Sequence, residues 1–207
     1  MRISLSDAGK RFNRDWVFRH LSYAFESPHK YAITGPNGSG KSTLLQVLAG
    51  AIDASEGKVE WWLTGKKMDD ANVYKQIGIA APYLELVEEM TALEFLDFHR
   101  NFKPIINNYS SAAILQRLSL EKAGSKQIRY YSSGMRQRIK LAQAIFSDTQ
   151  IVLLDEPCTN LDEPGYELYY SLIEEYCNNR LVIVSSNEKL EYSFCKDILN
   201  MNSFKVL

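Results

Sequence analysis

The spacing that most directly implies chemistry is Gly35-Pro36-Asn37-Gly38-Ser39-Gly40-Lys41-Ser42-Thr43. It fits G-x4-G-K-[ST], in which glycines let the backbone close around a phosphate and turn its N–H groups inward. In that pattern Lys41 reaches the β- and γ-phosphates of a nucleotide and the Ser42 hydroxyl binds Mg2+. A second segment, Ile151-Val152-Leu153-Leu154-Asp155-Glu156, is an apolar strand ending in two carboxylates. An end beside the glycine loop, at the carboxyl edge of a sheet, gives Asp155 the role of holding Mg2+, directly or through water. Glu156 is then placed to orient and polarise an attacking water.

The elements that must position these groups are legible in outline. Residues 30–34 read as a short strand running into the glycine loop, and residues 41–49 as the helix after it, with Gly50 as its stop. That helix start adds positive potential for an anion. Residues 151–154 and 181–184 are continuous apolar runs, the pattern of parallel strands buried on both faces. Between them residues 163–178 have helical spacing, with Asp162 as cap and Pro164 in the first turn. Strand, helix and strand make a crossover unit. Residues 2–7, 16–25 and 57–63 read as further strands, the first two separated by a polar turn around 13–15. Residues 91–102 and 111–120 read as helices inside an insertion of roughly 85–127. At the end, residues 197–200 and 204–207 read as a closing hairpin. The expected fold is α/β: a P-loop core with a parallel sheet, an antiparallel N-terminal β subdomain and a small helical subdomain.

Composition narrows the partners. Lys and Arg total 24 against 25 Asp and Glu, for a formal net charge of -1, which gives no reason to expect nucleic acid. No run approaches the ~18 apolar residues that span a bilayer, and residues 1–16 lack the apolar core of a signal peptide. Cys158, Cys177 and Cys195, without metal-type spacing, read as free thiols in a reducing compartment. The paired aromatics Trp61-Trp62, Tyr130-Tyr131 and Tyr169-Tyr170 read as core and subunit-contact residues.

With the loop, the carboxylate strand and two further motifs, the sequence resembles the ATP-binding cassette (ABC) ATPase family along essentially all of residues 1–207, as a single ABC ATPase domain. Tyr131-Ser132-Ser133-Gly134-Met135-Arg136-Gln137-Arg138 is similar to the family's signature, usually LSGGQ, with Tyr131, Ser133 and Met135 departing from it. Asp155-Glu156-Pro157-Cys158-Thr159-Asn160-Leu161-Asp162 is similar to its Walker B end and D-loop. Independently of the resemblance, Ser132 and Ser133 fit the capped start of a helix, which offers hydroxyl and backbone donors to an anion. The resemblance implies ATP and Mg2+ as cofactors and an adenine stacked on Phe12. It implies that Ser132, Ser133 and Gly134 face the γ-phosphate held by a second copy or a related cassette. It gives Asp162 a role in communication across that dimer. It also implies a separate transmembrane permease touched by the helical insertion, which makes the chain cytoplasmic and peripheral on the inner face of the membrane.

Two family positions differ. A Gln usually stands where the insertion begins; here Pro82 falls there, with no side-chain donor or acceptor, and Tyr83 or Glu85 is left as a substitute. A His usually follows the last core strand; here Asn187 does, able to donate a hydrogen bond to phosphate but not to carry imidazolium charge. The expected activity is ATP hydrolysis, slowed by these changes. The expected role is the engine of a transporter, with an exporter-like signature similar to the short haem-exporter ATPases. The alternatives are a non-hydrolysing ATP switch and a soluble ABC ATPase outside transport.

Overall fold

A computed structural model of the chain describes residues 1–205. Its strands are β1 (Arg2–Phe12), β2 (Asp15–Glu26), β3 (Lys30–Thr34), β4 (Glu56–Leu63), β5 (Lys66–Lys67), β6 (Ile77–Ala80), β7 (Ile151–Asp155), β8 (Leu181–Ser185) and β9 (Asp197–Asn200). Its α-helices are α1 (Lys41–Leu48), α2 (Ala92–Arg100), α3 (Ser111–Arg117), α4 (Ser133–Ile145) and α5 (Glu163–Tyr176). One sheet is antiparallel in the order β2-β1-β4-β5, and the other is parallel in the order β6-β7-β8-β3-β9.

The apolar runs explain the layering. Successive side chains on a strand point to opposite faces, so a strand covered on both sides needs no polar alternation. On β7 and β8, Val152, Leu154, Val182 and Val184 face a core shared with α4, α5 and the helical insertion. Ile151, Leu153, Leu181 and Ile183 face a second core built with α1 and the antiparallel sheet. Each such side chain removed from water contributes on the order of 2 kcal/mol. Helix starts follow their caps: Thr91 and Glu94 form a reciprocal capping box on α2, and Asp162 accepts from Gly165 N on α5, with Pro164 in the first turn. The carbonyls that end α4 are met by the buried Arg180, which donates to Ile145 O at 2.6 Å and Ser147 O at 3.1 Å.

One expectation changes. Among the described residues no closing hairpin forms: Asp197–Asn200 pairs in parallel with β3, and Met201–Phe204 is a 3-10 turn. Residues 206 and 207 lie outside the described residues. Also, β6 and the 3-10 turn Asp70–Gln76 before it carry no clear sequence signal, because β6 is a four-residue strand containing Gly78 and Ala80. Trp61, Tyr131 and Tyr169 are core residues as expected, whereas Tyr130 is exposed. The cysteines are free. No helix among the described residues is long and apolar enough to cross a membrane.

His99 of α2 is buried and its Nε2 donates to Ser147 Oγ at 2.8 Å, since that hydroxyl already donates to Gln143 O. Burial, with the charge of Lys103, pulls its pKa down to about 4. Between pH 4 and 6.5 the unfolded chain therefore binds a proton at this site that the folded one refuses, and stability falls as pH drops through that window. Urea titrations from pH 7 to 5 should show this loss. His99→Gln should remove up to ~1.4 kcal/mol per pH unit of the slope. An unchanged slope would contradict a buried neutral imidazole.

Candidate functional site

The glycine loop lies between β3 and α1 as its sequence implies. Gly40 has φ +94°, and a Cβ there would meet Val17 Cγ1 at 2.4 Å, so only glycine fits the turn into the helix. Among the described residues no side chain caps α1, and its first turn holds no acidic residue. Its first N–H groups are therefore left for an anion. Lys41 is nearly buried and its Nζ donates to Gly35 O at 2.7 Å and Pro36 O at 3.4 Å, so the ammonium sits over the loop's own carbonyls. Pro36, Asn37 and Gly38 form its exposed crest, and Ser39 is buried beneath. Ser42 and Thr43 are half-buried in the first turn.

The carboxylates reach the same edge through strand register. Asp155 pairs with Ser185, and Ser185 with Ile33, so β7, β8 and β3 end side by side where the loop begins. Glu156 N donates to Ser185 O at 2.9 Å and Ser186 N to Ile33 O at 3.1 Å. Asn187 then closes onto the loop: its Oδ1 accepts from Gly35 N and its Nδ2 donates to Asn37 Oδ1, each at 3.2 Å. Asp155 is 2% exposed, and its Oδ1, Ser185 Oγ and Ser39 Oγ are buried with no partner among the described residues. Such atoms cost free energy until something satisfies them. A carboxylate and hydroxyl oxygens beside free helix N–H groups suit a hard cation carrying a phosphate. Glu156 holds φ +45°, a strained conformation for a side chain of its size.

The Ser132–Asp162 region forms a second group. Ser132 caps α4 by accepting from Met135 N at 3.2 Å, leaving Ser133 exposed at the helix start. A Cβ on Gly134 would come within 2.9 Å of Asn160 O, so α4 begins in close contact with the loop after Glu156. Asp162 caps α5 and also accepts from Arg138 Nη2 at 3.2 Å. Phe12 ends β1 half-exposed, apart from the core, with the Lys10 ammonium over its ring.

The family described as ABC transporter matches residues 18–159. The chain belongs to the ABC transporter family. It is 31% identical over 203 residues to the uncharacterized ABC transporter ATP-binding protein YybJ of Bacillus subtilis, covering 97% of this chain and 92% of that protein. It is 35% identical over 159 residues to the zinc import ATP-binding protein ZnuC of Paracoccus denitrificans, covering 77% of this chain but 58% of that one. Its fold is similar to the ATP-binding cassette MJ0796, solved as a dimer in a post-hydrolysis state with ADP and Pi. That match has a TM-score of 0.79 and 23% identity over 96% of this chain and 93% of that one. As an ABC ATPase the chain takes ATP and Mg2+, and the unpartnered oxygens and free N–H groups fit both.

Two ABC departures acquire a physical account. Tyr131, in place of the usual signature Leu, is buried and its hydroxyl donates to Ala123 O at 2.7 Å, tying the signature to the insertion. Pro82 is exposed and lends only its carbonyl, which accepts from Lys140 Nζ at 3.1 Å. Of the two candidate substitutes, Tyr83 is 43% exposed yet feels the Asp155 charge: partial burial, then that charge, pushes its phenol up to about 12. It therefore stays protonated at neutral pH. Glu85 is exposed as well, and its charge acts on Lys140. Sequence reasoning passed over Ser185, although a serine ending an apolar strand opposite Asp155 is a readable signal.

Gly134→Ala forces the ABC signature helix away from the Asn160 backbone. It should cost about 1–3 kcal/mol, read as a lower thermal midpoint. An unchanged midpoint would mean that α4 and this loop are not in contact.

Proposed function

We propose that this cassette is the ATP-hydrolysing subunit of a transporter, acting as a dimer of two copies against a separate permease. The buried, unpartnered oxygens of Asp155, Ser185 and Ser39 beside the uncapped α1 carry this reading. Bound ATP and Mg2+ supply a transferable phosphoryl group and the charge that neutralises it. The backbone of Gly35, Pro36, Asn37, Gly38, Ser39 and Gly40 cradles the phosphates, with Thr43 in the first helical turn. Lys41 gives up the carbonyls of Gly35 and Pro36 to pair with the β- and γ-oxygens. Ser42 and Asp155 hold the metal. Glu156 accepts the proton of the attacking water, and its strained backbone holds the carboxylate in place for that step. Ser132, Ser133 and Gly134 present the α4 N-terminus to the γ-phosphate held by the other copy. Phe12 stacks the adenine, and Asp162 links the two sites. The whole of residues 1–207 serves as this one ATPase domain.

Turnover is slow in this reading. Asn187 is already committed to Gly35 and Asn37 and carries no charge, and Tyr83 supplies one neutral hydroxyl where a Gln amide usually serves. Export is the direction we propose, supported by the form of the signature; the similarity to a zinc import protein makes the direction of transport worth measuring directly. The site of action is the cytoplasmic face of the membrane, reached through the permease alone and without nucleic acid.

Phosphate release from Mg-ATP by the purified chain should fall to background in Glu156→Gln and in Lys41→Ala, a loss of roughly a hundredfold or more. Asn187→His should raise turnover several-fold, by about 1 kcal/mol of transition-state stabilisation. Release that persists in Glu156→Gln would remove Glu156 as the base.

A further inference from the structure

The peptide group joining Pro157 to Cys158 is held on both sides by buried side chains. Its carbonyl accepts from Gln137 Nε2 at 2.7 Å, and its N–H donates to Glu191 Oε1 at 2.8 Å. Gln137, 5% exposed, stands on α4 behind the signature. Glu191, 3% exposed, stands in the 3-10 turn Lys189–Tyr192, just beyond Asn187. The backbone of that turn is fixed in its own right: Tyr169 Oη donates to Glu191 O at 2.9 Å, and Glu191 N donates to Glu188 O at 3.0 Å.

Only Pro157 separates this peptide from Glu156, whose φ of +45° needs surroundings that over-determine it. Pro157 supplies one constraint, a fixed φ and no N–H to compete for. The two side chains supply the other, by fixing the plane of the next peptide. On its far side the chain goes directly to Asn160, against Gly134, and to Asp162, against Arg138. Three parts that act on the phosphate thus meet at one peptide: the signature helix, the loop from Glu156 to Asp162, and the turn after β8.

We propose that Gln137 and Glu191 are positioning residues that clamp the Pro157–Cys158 peptide, holding Glu156 in its strained conformation and making the signature helix and the Asn187 turn move with the loop between them. Neither touches substrate; both act through the backbone of Glu156. The clamp rests on the ATPase reading above for its effect on turnover, but not for its existence. A buried carboxylate whose second oxygen has no partner among the described residues is a costly way to hold one N–H. The position next to the base accounts for that cost.

The test uses the full chain with Glu191→Gln, which keeps an acceptor, and Glu191→Met and Gln137→Met, which remove one bond each. With Mg-ATP the two Met variants should lose roughly tenfold or more in kcat with KM within about twofold, and Glu191→Gln should keep most of wild-type kcat. The double Met variant should be no slower than the slower single one, because the two bonds serve one peptide. Without nucleotide, amide exchange across residues 158–162 should quicken in the Met variants while β7 amides stay protected. In the unmodified protein the Cys158 amide should exchange far more slowly than that of exposed Asn160, a reading that survives even if a variant fails to fold. A Cys158 amide as fast as Asn160, Met variants with wild-type kcat, or a Glu191→Gln loss equal to that of Glu191→Met would each overturn the clamp. A wild-type chain that releases no phosphate would instead overturn the ATPase reading and leave the exchange measurements to decide the clamp.

Discussion

The pairing of Asp155 with Ser185, and of Ser185 with Ile33, is the constraint from which the rest follows. It makes three parallel strands end at one level. Each end delivers something different: the glycine loop from β3, a carboxylate pair from β7, and a serine followed by Asn187 from β8. A one-residue slip in any strand would exchange its inward and outward side chains between two filled cores, so packing alone forbids it. The cores fix the register, and the register places buried oxygens that the protein itself leaves unsatisfied. Atoms of that kind mark where folding energy has been held back for a ligand.

Around that edge, conformational freedom is removed rather than supplied. Gly40 is wedged against Val17, and Asn187 spans two positions of the loop. The segment after Glu156 is gripped by side chains from α4 and from the turn after β8. Electrostatic catalysis works when donors and charges need not reorganise as the reaction proceeds, and this geometry satisfies that demand. The helical insertion attaches to the signature through Tyr131 to Ala123, and α4 is tied to the segment after β6 through Lys140 to the carbonyls of Ala81 and Pro82.

How much of this was legible in the sequence depends on the range of the interaction. The glycine loop, the apolar runs of β7 and β8 and the Asp162 cap are local patterns, and each stands where its residues put it. The antiparallel β1–β2 pairing follows from adjacency, although both strands run longer than their apolar cores suggest. Parallel pairing has no local signature, which is why β9 reads as half of a hairpin and yet joins β3, where Asp197 pairs with Tyr31 across 166 residues of chain. β6, with Gly78 and Ala80 among its four residues, offers almost no side-chain pattern to read. In the site, Lys41, Asp155 and Glu156 announce themselves by type and spacing. Gln137 and Glu191 do not, because a polar residue on a helix or a turn is ordinarily exposed. Tyr83 could be named as one of two substitutes for the missing Gln, but only the fold brings it within the field of the Asp155 charge.

The central claim is that the unsatisfied groups at the sheet edge and the exposed start of α4 are two halves of one ATP site, completed by a second copy. Two copies with rotational symmetry place each signature against the other's loop. The most direct measurement is the solution mass of Glu156→Gln, by light scattering, with and without ATP. With ATP, the account predicts a mass twice that of the monomer, and a monomer again when the nucleotide is withdrawn. A chain that binds ATP yet remains a monomer at every protein concentration would contradict it.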